Sequence, residues 1–109
     1  MTTTTFKFRE FGEYLGTRML GERARNQLLP LIQQYNKVVL DFSGVDVVSN
    51  SFADECLGKL LLTMSLDELK SKTTFVSDND FVKKSIVAAL RRRLNDPSYS
   101  PFNSMQASD

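Results

Sequence analysis

The residues with the clearest chemical potential lie between an apolar run typical of a buried strand and the start of the helix that follows it. Two serines, Ser49 and Ser51, flank Asn50, and the acids Asp54 and Glu55 follow within one helical turn. A hydroxyl at a helix N-terminus lies beside unpaired backbone N–H groups, and a phosphate placed there would accept hydrogen bonds from them. The two acids would repel that phosphate, so this composition favours a site whose surface changes on phosphorylation.

A purely structural interpretation of the same residues stays open. If Ser51 is the N-cap, Asp54 occupies the third helical position and completes a capping-box variant, with aspartate in place of the usual Glu or Gln. Asp54 and Glu55 would then also interact favourably with the positive end of the helix dipole. On this interpretation the serines only turn the chain and cap the helix, a contribution of about 1 kcal/mol.

The composition excludes most kinds of catalytic site. The chain of 109 residues contains no histidine and one cysteine, Cys56, so imidazole-based triads, zinc clusters and disulfide frameworks are excluded. A lone serine without a base or a metal is poorly activated, and the glycines lack the spacing and the lysine of a phosphate-binding loop. We therefore expect a protein that is not an enzyme and that holds no cofactor or metal.

Four further residues have competing interpretations. Asp41, near the end of a predicted strand, could be a phosphoacceptor, but no second acidic cluster for magnesium lies near the first strand, so a bond to the Ser43-Gly44 turn is favoured. Cys56 falls on the apolar face of its helix and is expected to be an inert core residue. Gly58 is expected to let another element approach closely. Arg18 could form a salt bridge or contact a ligand, and the sequence does not decide between them.

One basic cluster stands out in the last predicted helix. It consists of Lys83, Lys84, Arg91, Arg92 and Arg93. A solvated face that complements the negative end of the helix dipole is the simpler interpretation. The alternative is a surface that contacts nucleic-acid phosphates or an acidic scaffold.

Charge and hydropathy bear on the cellular location of the protein and on the partners that it could recruit. Fourteen basic and thirteen acidic residues leave a formal net charge of +1, so the whole chain has no field that would recruit nucleic acid or an acidic membrane. The N-terminal MTTTTF has neither the basic start nor the apolar segment of a signal peptide, and no apolar run approaches the ~20 residues of a membrane span. We expect a cytoplasmic protein.

Periodicity assigns alternating strands and helices around these residues. Strands are predicted at Thr3–Phe8, Lys37–Phe42 and Thr73–Ser77, and helices at Gly16–Tyr35, Ser51–Leu69 and Asn79–Leu94, with a kink or a new helix at Pro30. The strand at Lys37–Phe42 lacks clean alternation, which favours burial on both faces. This order predicts a single α/β domain at residues 1–94, with a small sheet of three or four largely parallel strands packed with helices. So small a sheet suggests either that the helices pack mainly on one side or that a partner covers the part that the chain does not. Residues 95–109, including Tyr99 and Phe102, are predicted to form a loose or loosely docked tail.

The segment LDFSGVDVVSNSFADECLGKLL, Leu40–Leu62, resembles the central part of STAS domains, the anti-sigma-factor-antagonist family. The chain is more similar still to the bacterial STAS-like family, in which Phe-Gly, Leu-x-x-Arg, a strand LDF and S-x-SFADE follow one another. These motifs are matched by Phe11-Gly12, Leu15–Arg18, Leu40–Phe42 and Ser49–Glu55. The resemblance spans about Phe6 to Arg93 and is most specific at SFADE.

The resemblance implies a STAS-like fold and a non-enzymatic signalling role. The implied partner is a GHKL-type ATPase or serine kinase that binds the domain and phosphorylates it, through a contact made of Asp41, Ser49, Asn50, Ser51, Phe52, Asp54 and Glu55. The antagonist pattern Asp-Ser-Ser/Thr-Gly places Asn50 at the phosphoacceptor position, and asparagine cannot accept a phosphoryl group. Either Ser51, the favoured candidate, or Ser49 takes that role, or the docking surface is kept without the modification. A homodimer is also open, and a membrane partner is not expected.

Overall fold

The computed structural model describes residues 2–96, which form an α/β fold around one small parallel sheet. The main sheet has three parallel strands in the order β1, β3, β5: β1 at Thr3–Lys7, β3 at Lys37–Asp41 and β5 at Thr73–Val76. Two further strands of two residues each, β2 at Tyr14–Leu15 and β4 at Val47–Val48, pair in parallel beside it. The predicted fold class is confirmed.

Within residues 2–96, four α-helices connect and cover the strands. They are α1 at Arg18–Gln34, α2 at Asn50–Cys56, α3 at Leu66–Lys72 and α4 at Asp80–Asn95. The predicted first and last helices are confirmed to within two residues at each end. α1 passes through Pro30 as one helix, so no new helix begins there. Within residues 2–96, no helix combines the length and the apolar character needed to cross a bilayer.

The prediction of one helix over Ser51–Leu69 is wrong. α2 ends at Cys56, a 3-10 turn follows at Gly58–Leu62, and Ser65 caps the new helix α3 by accepting a hydrogen bond from the Glu68 N–H at 3.1 Å. Apolar residues keep helical spacing through the turn, since Leu57, Leu60 and Leu61 are all buried. Periodicity therefore does not reveal the break.

The main sheet is buried on one face only. In β3, Val38 and Leu40 are buried, whereas Lys37, Val39 and Asp41 are half-buried. The predicted burial of both faces of β3 is therefore wrong, and the opposite face carries exposed residues of the flanking strands, including Thr5 and Val76. The arrangement confirms helices packed mainly on one side of the sheet.

Phenylalanines hold the end of the sheet to the start of α2. The Phe8 and Phe42 rings stack at 3.9 Å between centroids, and Phe52 meets Phe8 edge to face at 6.4 Å. All three side chains are fully buried. Because Phe52 lies in the first turn of α2, this cluster fixes where that helix begins relative to the strands.

The predicted boundary between residues 94 and 95 stays a prediction. Asn95 is the last residue of α4 in the structure. Tyr99 and Phe102, which were predicted to lie in the tail, fall outside the described residues.

Candidate functional site

The serine-rich junction begins α2 with Ser49 as the capping residue, so the structural interpretation in which Ser51 is the N-cap is wrong. The Ser49 hydroxyl accepts a hydrogen bond from the Phe52 N–H at 3.0 Å, and the Ser49 N–H donates to the Leu15 carbonyl at 2.9 Å. Val48 pairs with Leu15 in the two-strand sheet, so the chain leaves that sheet at residue 49 and the helix starts there. The capping-box variant with Asp54 is therefore not formed.

Asn50 and Ser51 are the reachable part of the junction. Asn50 is exposed and Ser51 is half-buried in the first turn of α2. Within residues 2–96, the Ser51 hydroxyl makes no hydrogen bond, in contrast to the hydroxyl of Ser49. Ser51 thus presents an uncommitted hydroxyl near the amino end of the helix.

The residues that follow Ser51 lie largely inside the protein, where their side chains pack against or pair with other residues of the domain. Phe52 and Ala53 are fully buried, and Glu55 is 6% exposed. The Asp54 side chain is 16% exposed and is occupied by two arginines. Phe52, Asp54 and Glu55, which were predicted to contact a partner, pack or pair inside the domain because the apolar face of α2 lies on the phenylalanine cluster and on α1, and their contact with a partner stays a prediction.

Asp54 ties α2 to two other helices. Arg93 of α4 donates from Nε to Oδ1 at 2.7 Å and from Nη2 to Oδ2 at 2.9 Å. Arg18, the first residue of α1, donates from Nη1 to Oδ2 at 3.0 Å. The Arg93 guanidinium, helped by Arg18, holds the pKa of the Asp54 carboxyl below its usual range although burial opposes the shift.

Glu55 is the buried charge of the site and has three cationic partners. Arg18 Nη1 donates to Oε1 at 3.1 Å, Arg25 Nη1 to Oε2 at 2.9 Å and to the Glu55 carbonyl, and Lys59 Nζ to Oε2 at 3.1 Å. Burial raises the pKa of this carboxyl, but the hydrogen bonds from its three partners outweigh burial and leave the pKa lowered. The undecided role of Arg18 is resolved: it bridges both acids.

These six residues, Arg18, Arg25, Asp54, Glu55, Lys59 and Arg93, form what we call the ion-pair cluster. Its four cations surround two carboxylates, so the group carries a positive excess. The expected repulsion of a phosphate by Asp54 and Glu55 is therefore offset, because both acids are already paired. The Arg18 side chain is 56% exposed and uses only Nη1 for its contacts within the described chain.

Two glycines make this close packing possible. A Cβ on Gly21 of α1 would lie 3.0 Å from the Phe52 carbonyl oxygen and 3.0 Å from Glu55 Cβ. A Cβ on Gly58 would lie 2.9 Å from Asp54 Oδ1 and 3.1 Å from Arg93 Cγ. The predicted role of Gly58, to let another element approach, is confirmed.

Exposed apolar side chains flank the junction, and sequence patterns did not single them out. Tyr14 and Val47 are register partners in the two-strand sheet and are 68% and 47% exposed. Phe81 of α4 is 78% exposed and lines a shallow depression together with Val47. The residues of β4 directly precede Ser49, so the sequence places them next to the junction. A strand of two residues is too short to show an alternation of buried and exposed side chains, so the exposure of Val47 could not be predicted from the pattern.

Asp41 and Cys56 have the structural roles that the sequence favoured. Asp41 Oδ1 accepts a hydrogen bond from the Ser43 N–H at 2.9 Å, which lowers the pKa of the Asp41 carboxyl and closes the turn in which Gly44 adopts φ 82°. Cys56 is fully buried, and burial raises the pKa of its thiol to about 12. Within residues 2–96, no group of three metal-ligating side chains converges.

The basic cluster is divided by the fold. Arg93 turns inward to Asp54 and belongs to the ion-pair cluster. The other four residues, Lys83, Lys84, Arg91 and Arg92, share one exposed face of α4 with Asp80. Within the described chain, these four cations form no ion pair.

The family assignment rests on the central part of the chain. The family described as STAS-like domain of unknown function (DUF4325) matches residues 21–83, more than half of the sequence. The chain belongs to this STAS-like family. The matched range contains Ser49–Glu55 and the sheet strands β3 and β5, but Arg18 and Arg93 of the ion-pair cluster lie outside it. No match to the STAS-like chain was found among curated proteins or among solved structures.

Proposed function

We propose that this STAS-like domain is a non-enzymatic regulatory module that binds a GHKL-type ATPase or serine kinase and is switched by phosphorylation of Ser51. The observation that carries the proposal is the contrast between two hydroxyls of one junction. Ser49 is committed to capping α2, whereas Ser51 is uncommitted and lies beside exposed Asn50. Modification of Ser51 leaves the cap intact, which a switch between two folded states requires.

The contact surface of this proposal differs from the one that the sequence suggested. It comprises Asn50 and Ser51 together with the exposed apolar residues Tyr14, Val47 and Phe81. Aromatic side chains supply much of the binding energy of protein interfaces, and a kinase must reach the hydroxyl that it modifies. A phosphate on Ser51 would place about −1.5 to −2 charges at this surface and so weaken partner binding.

The ion-pair cluster offers the phosphate a partner inside the domain. Asp54 and Glu55 lie three and four residues after Ser51, on the same side of α2. Arg18 bridges both acids and has donors without a partner in the described chain. A phosphoserine at position 51 would compete for Arg18, which couples the modification to the contact between α1 and α2.

Phosphate transfer in a purified system tests the proposal. The assay incubates the domain with ATP labelled at the γ-phosphate and with a purified GHKL-type ATPase. Wild type and Ser49→Ala should incorporate label, and Ser51→Ala should not, although Ser49→Ala loses about 1 kcal/mol of capping energy. Label that persists in Ser51→Ala, or no label in wild type, would refute the role of Ser51.

A second function is favoured by one observation, the four cations on the exposed face of α4, which form no ion pair within residues 2–96, although Lys84 Nζ lies 6.0 Å from the Phe81 ring centroid. We propose as the alternative that Lys83, Lys84, Arg91 and Arg92 bind nucleic-acid phosphates or an acidic scaffold. Such binding would weaken steeply with salt, with a slope of about −0.9 per phosphate contact on duplex DNA. A partner held by Tyr14, Val47 and Phe81 would dissociate little under the same salt titration, which separates the two functions.

A further inference from the structure

An apolar cavity lies between α3, β5 and α4, away from the serine junction. Its volume is about 230 Å³. Its walls are formed mainly by Leu40, Leu57, Leu69, Phe75, Ile86 and Leu90. Leu40 and Phe75 are lateral neighbours on the buried face of the sheet, so the strands form the floor and the two helices form the sides.

The described side chains that line the interior of this cavity offer water few groups for hydrogen bonding. Thr73 is the polar residue of the wall, and its hydroxyl already donates to the Leu69 carbonyl at 2.6 Å. Among the described residues, no buried polar side-chain atom lacks a hydrogen-bond partner. Enclosed cavities walled by Leu, Ile and Phe stay dry and accept hydrocarbon ligands, and this cavity has the same kind of lining although it is partly open to solvent. The cavity therefore favours an apolar occupant over solvent.

Positive charge is concentrated at the rim. Lys70 of α3 and Lys83 of α4 both line the cavity and are exposed, and no acidic residue among those that the structure describes lines it. Neither lysine forms an ion pair within residues 2–96. The half-exposed Val87 lies on the same rim. The cavity thus joins an apolar interior to two uncompensated ammonium groups.

We propose that the cavity is a binding site for a medium-chain monocarboxylate, with the hydrocarbon chain inside and the carboxylate between Lys70 and Lys83. An apolar cavity of about 150 Å³ holds the six carbons of benzene, so the volume here corresponds to a chain of roughly eight carbons. A membrane lipid has chains that are too long for this space, which favours a soluble acid. The site is independent of Ser51 and of the proposed kinase.

Chain length gives the first test. Isothermal titration calorimetry of the full chain with butyrate, hexanoate, octanoate and dodecanoate should show affinity that rises by up to about fourfold per added methylene. The rise should end near octanoate, where the chain fills the cavity. No saturable octanoate binding, or an affinity that keeps rising through dodecanoate, would overturn the proposal.

Two variants test separately how the apolar interior and the charged rim contribute to binding. Lys70→Gln with Lys83→Gln should weaken octanoate binding by about fivefold and leave 1-octanol binding within about twofold, since exposed charge pairs contribute modestly. Val87→Trp, which places a large ring at the rim, should weaken both ligands by about tenfold or more. Lys7→Gln with Arg23→Gln removes two exposed cations that do not line the cavity, is the matched charge control, and should bind octanoate like wild type.

The site can also be located directly. Methyl resonances of Leu69, Ile86 and Leu90 should shift on addition of octanoate, whereas those of Leu15 and Val45, which do not line the cavity, should not. If the lysine variant lost octanol as much as octanoate, or if the shifts clustered elsewhere, the assignment of this cavity would be wrong. Val87 is half-exposed, so its replacement tests the site without removing a core side chain.

Discussion

Arg93 and Asp54 are 39 residues apart in sequence and form a two-bonded pair, with Nε to Oδ1 at 2.7 Å and Nη2 to Oδ2 at 2.9 Å. Their side chains are 19% and 16% exposed, so water screens the pair little. The pair fixes the end of α4 against α2 and sets the orientation of the helix that carries Ser51.

Loss of Arg93 should destabilise the fold. Arg93→Ala leaves the Asp54 carboxylate with Arg18 alone, and hydrogen bonds between charged groups contribute about 1.5 to 3 kcal/mol. We expect the free energy of unfolding to fall by about 2 kcal/mol in urea titrations. The control is Arg92→Ala, which removes an exposed neighbour and should change stability by less than about 0.5 kcal/mol. Equal effects of the two variants would contradict the structural role of Arg93.

Gly21→Ala should destabilise the protein although alanine is the better helix former. In an open helix the change would stabilise by up to about 1 kcal/mol, but here the new Cβ would approach the Phe52 carbonyl oxygen to 3.0 Å. The methyl group should push α1 away from α2 and lower the free energy of unfolding by about 1 to 3 kcal/mol. Gly16→Ala, just before the N-cap of α1, is the control for the added methyl group, since a Cβ there meets nothing within 4 Å. Thermal unfolding monitored by circular dichroism compares the two, and a stabilised Gly21→Ala would contradict the packing.

Stability should fall as the pH is lowered. The pKa values of Asp54 and Glu55 are lower in the folded state than in an unfolded chain, where carboxyls titrate near 4. The unfolded chain therefore takes up protons first, so the stabilisation is complete above about pH 5 and is lost as the pH falls through the folded values. Urea unfolding at pH 6 and pH 3.5 should show this loss in wild type. Asp54→Asn should show a smaller loss, and an unchanged pH dependence would contradict the contribution of this pair.

Cys56 should be unreactive in the folded protein. Burial raises the pKa of its thiol to about 12, so at pH 8 the thiolate is about a thousandfold scarcer than for a free cysteine. Iodoacetamide labelling followed by mass spectrometry should leave the native protein unmodified and label it fully in guanidinium chloride. Rapid labelling of the native protein would show that the thiol is accessible.

The sequence predicted the elements that have long periodic patterns and missed those set by distant contacts. α1 and α4 follow from apolar spacing, and β3 follows from its valine-rich run. The shift of the N-cap from Ser51 to Ser49 could not be predicted, because it depends on the pairing of Val48 with Leu15. The start of α3 had a local signal in Ser65-x-x-Glu68, which matches a capping box inside a continuous apolar stripe.

For the candidate site, the sequence identified the residues that can be reached from outside but not the buried contacts behind them. Asn50 and Ser51 are reachable, as the proposed switch requires, and their role stays a prediction. The burial of Phe52 and the pairing of Asp54 with Arg93 depend on elements far away in sequence, so local spacing could not show them. A buried carboxylate and an exposed one look alike in a sequence until their cationic partners are placed.

The central claim is that the start of α2 is where a partner binds and where modification of Ser51 releases it. Calorimetric titration of a purified GHKL-type ATPase into wild type, Ser51→Ala and Ser51→Asp measures this directly, with Asn26→Asp as a control for added charge on an exposed helix face. We predict that wild type, Ser51→Ala and Asn26→Asp bind equally and that Ser51→Asp binds at least about tenfold more weakly, a loss of about 1.4 kcal/mol. Equal binding by Ser51→Asp and Ser51→Ala, or no binding by wild type, would contradict the claim.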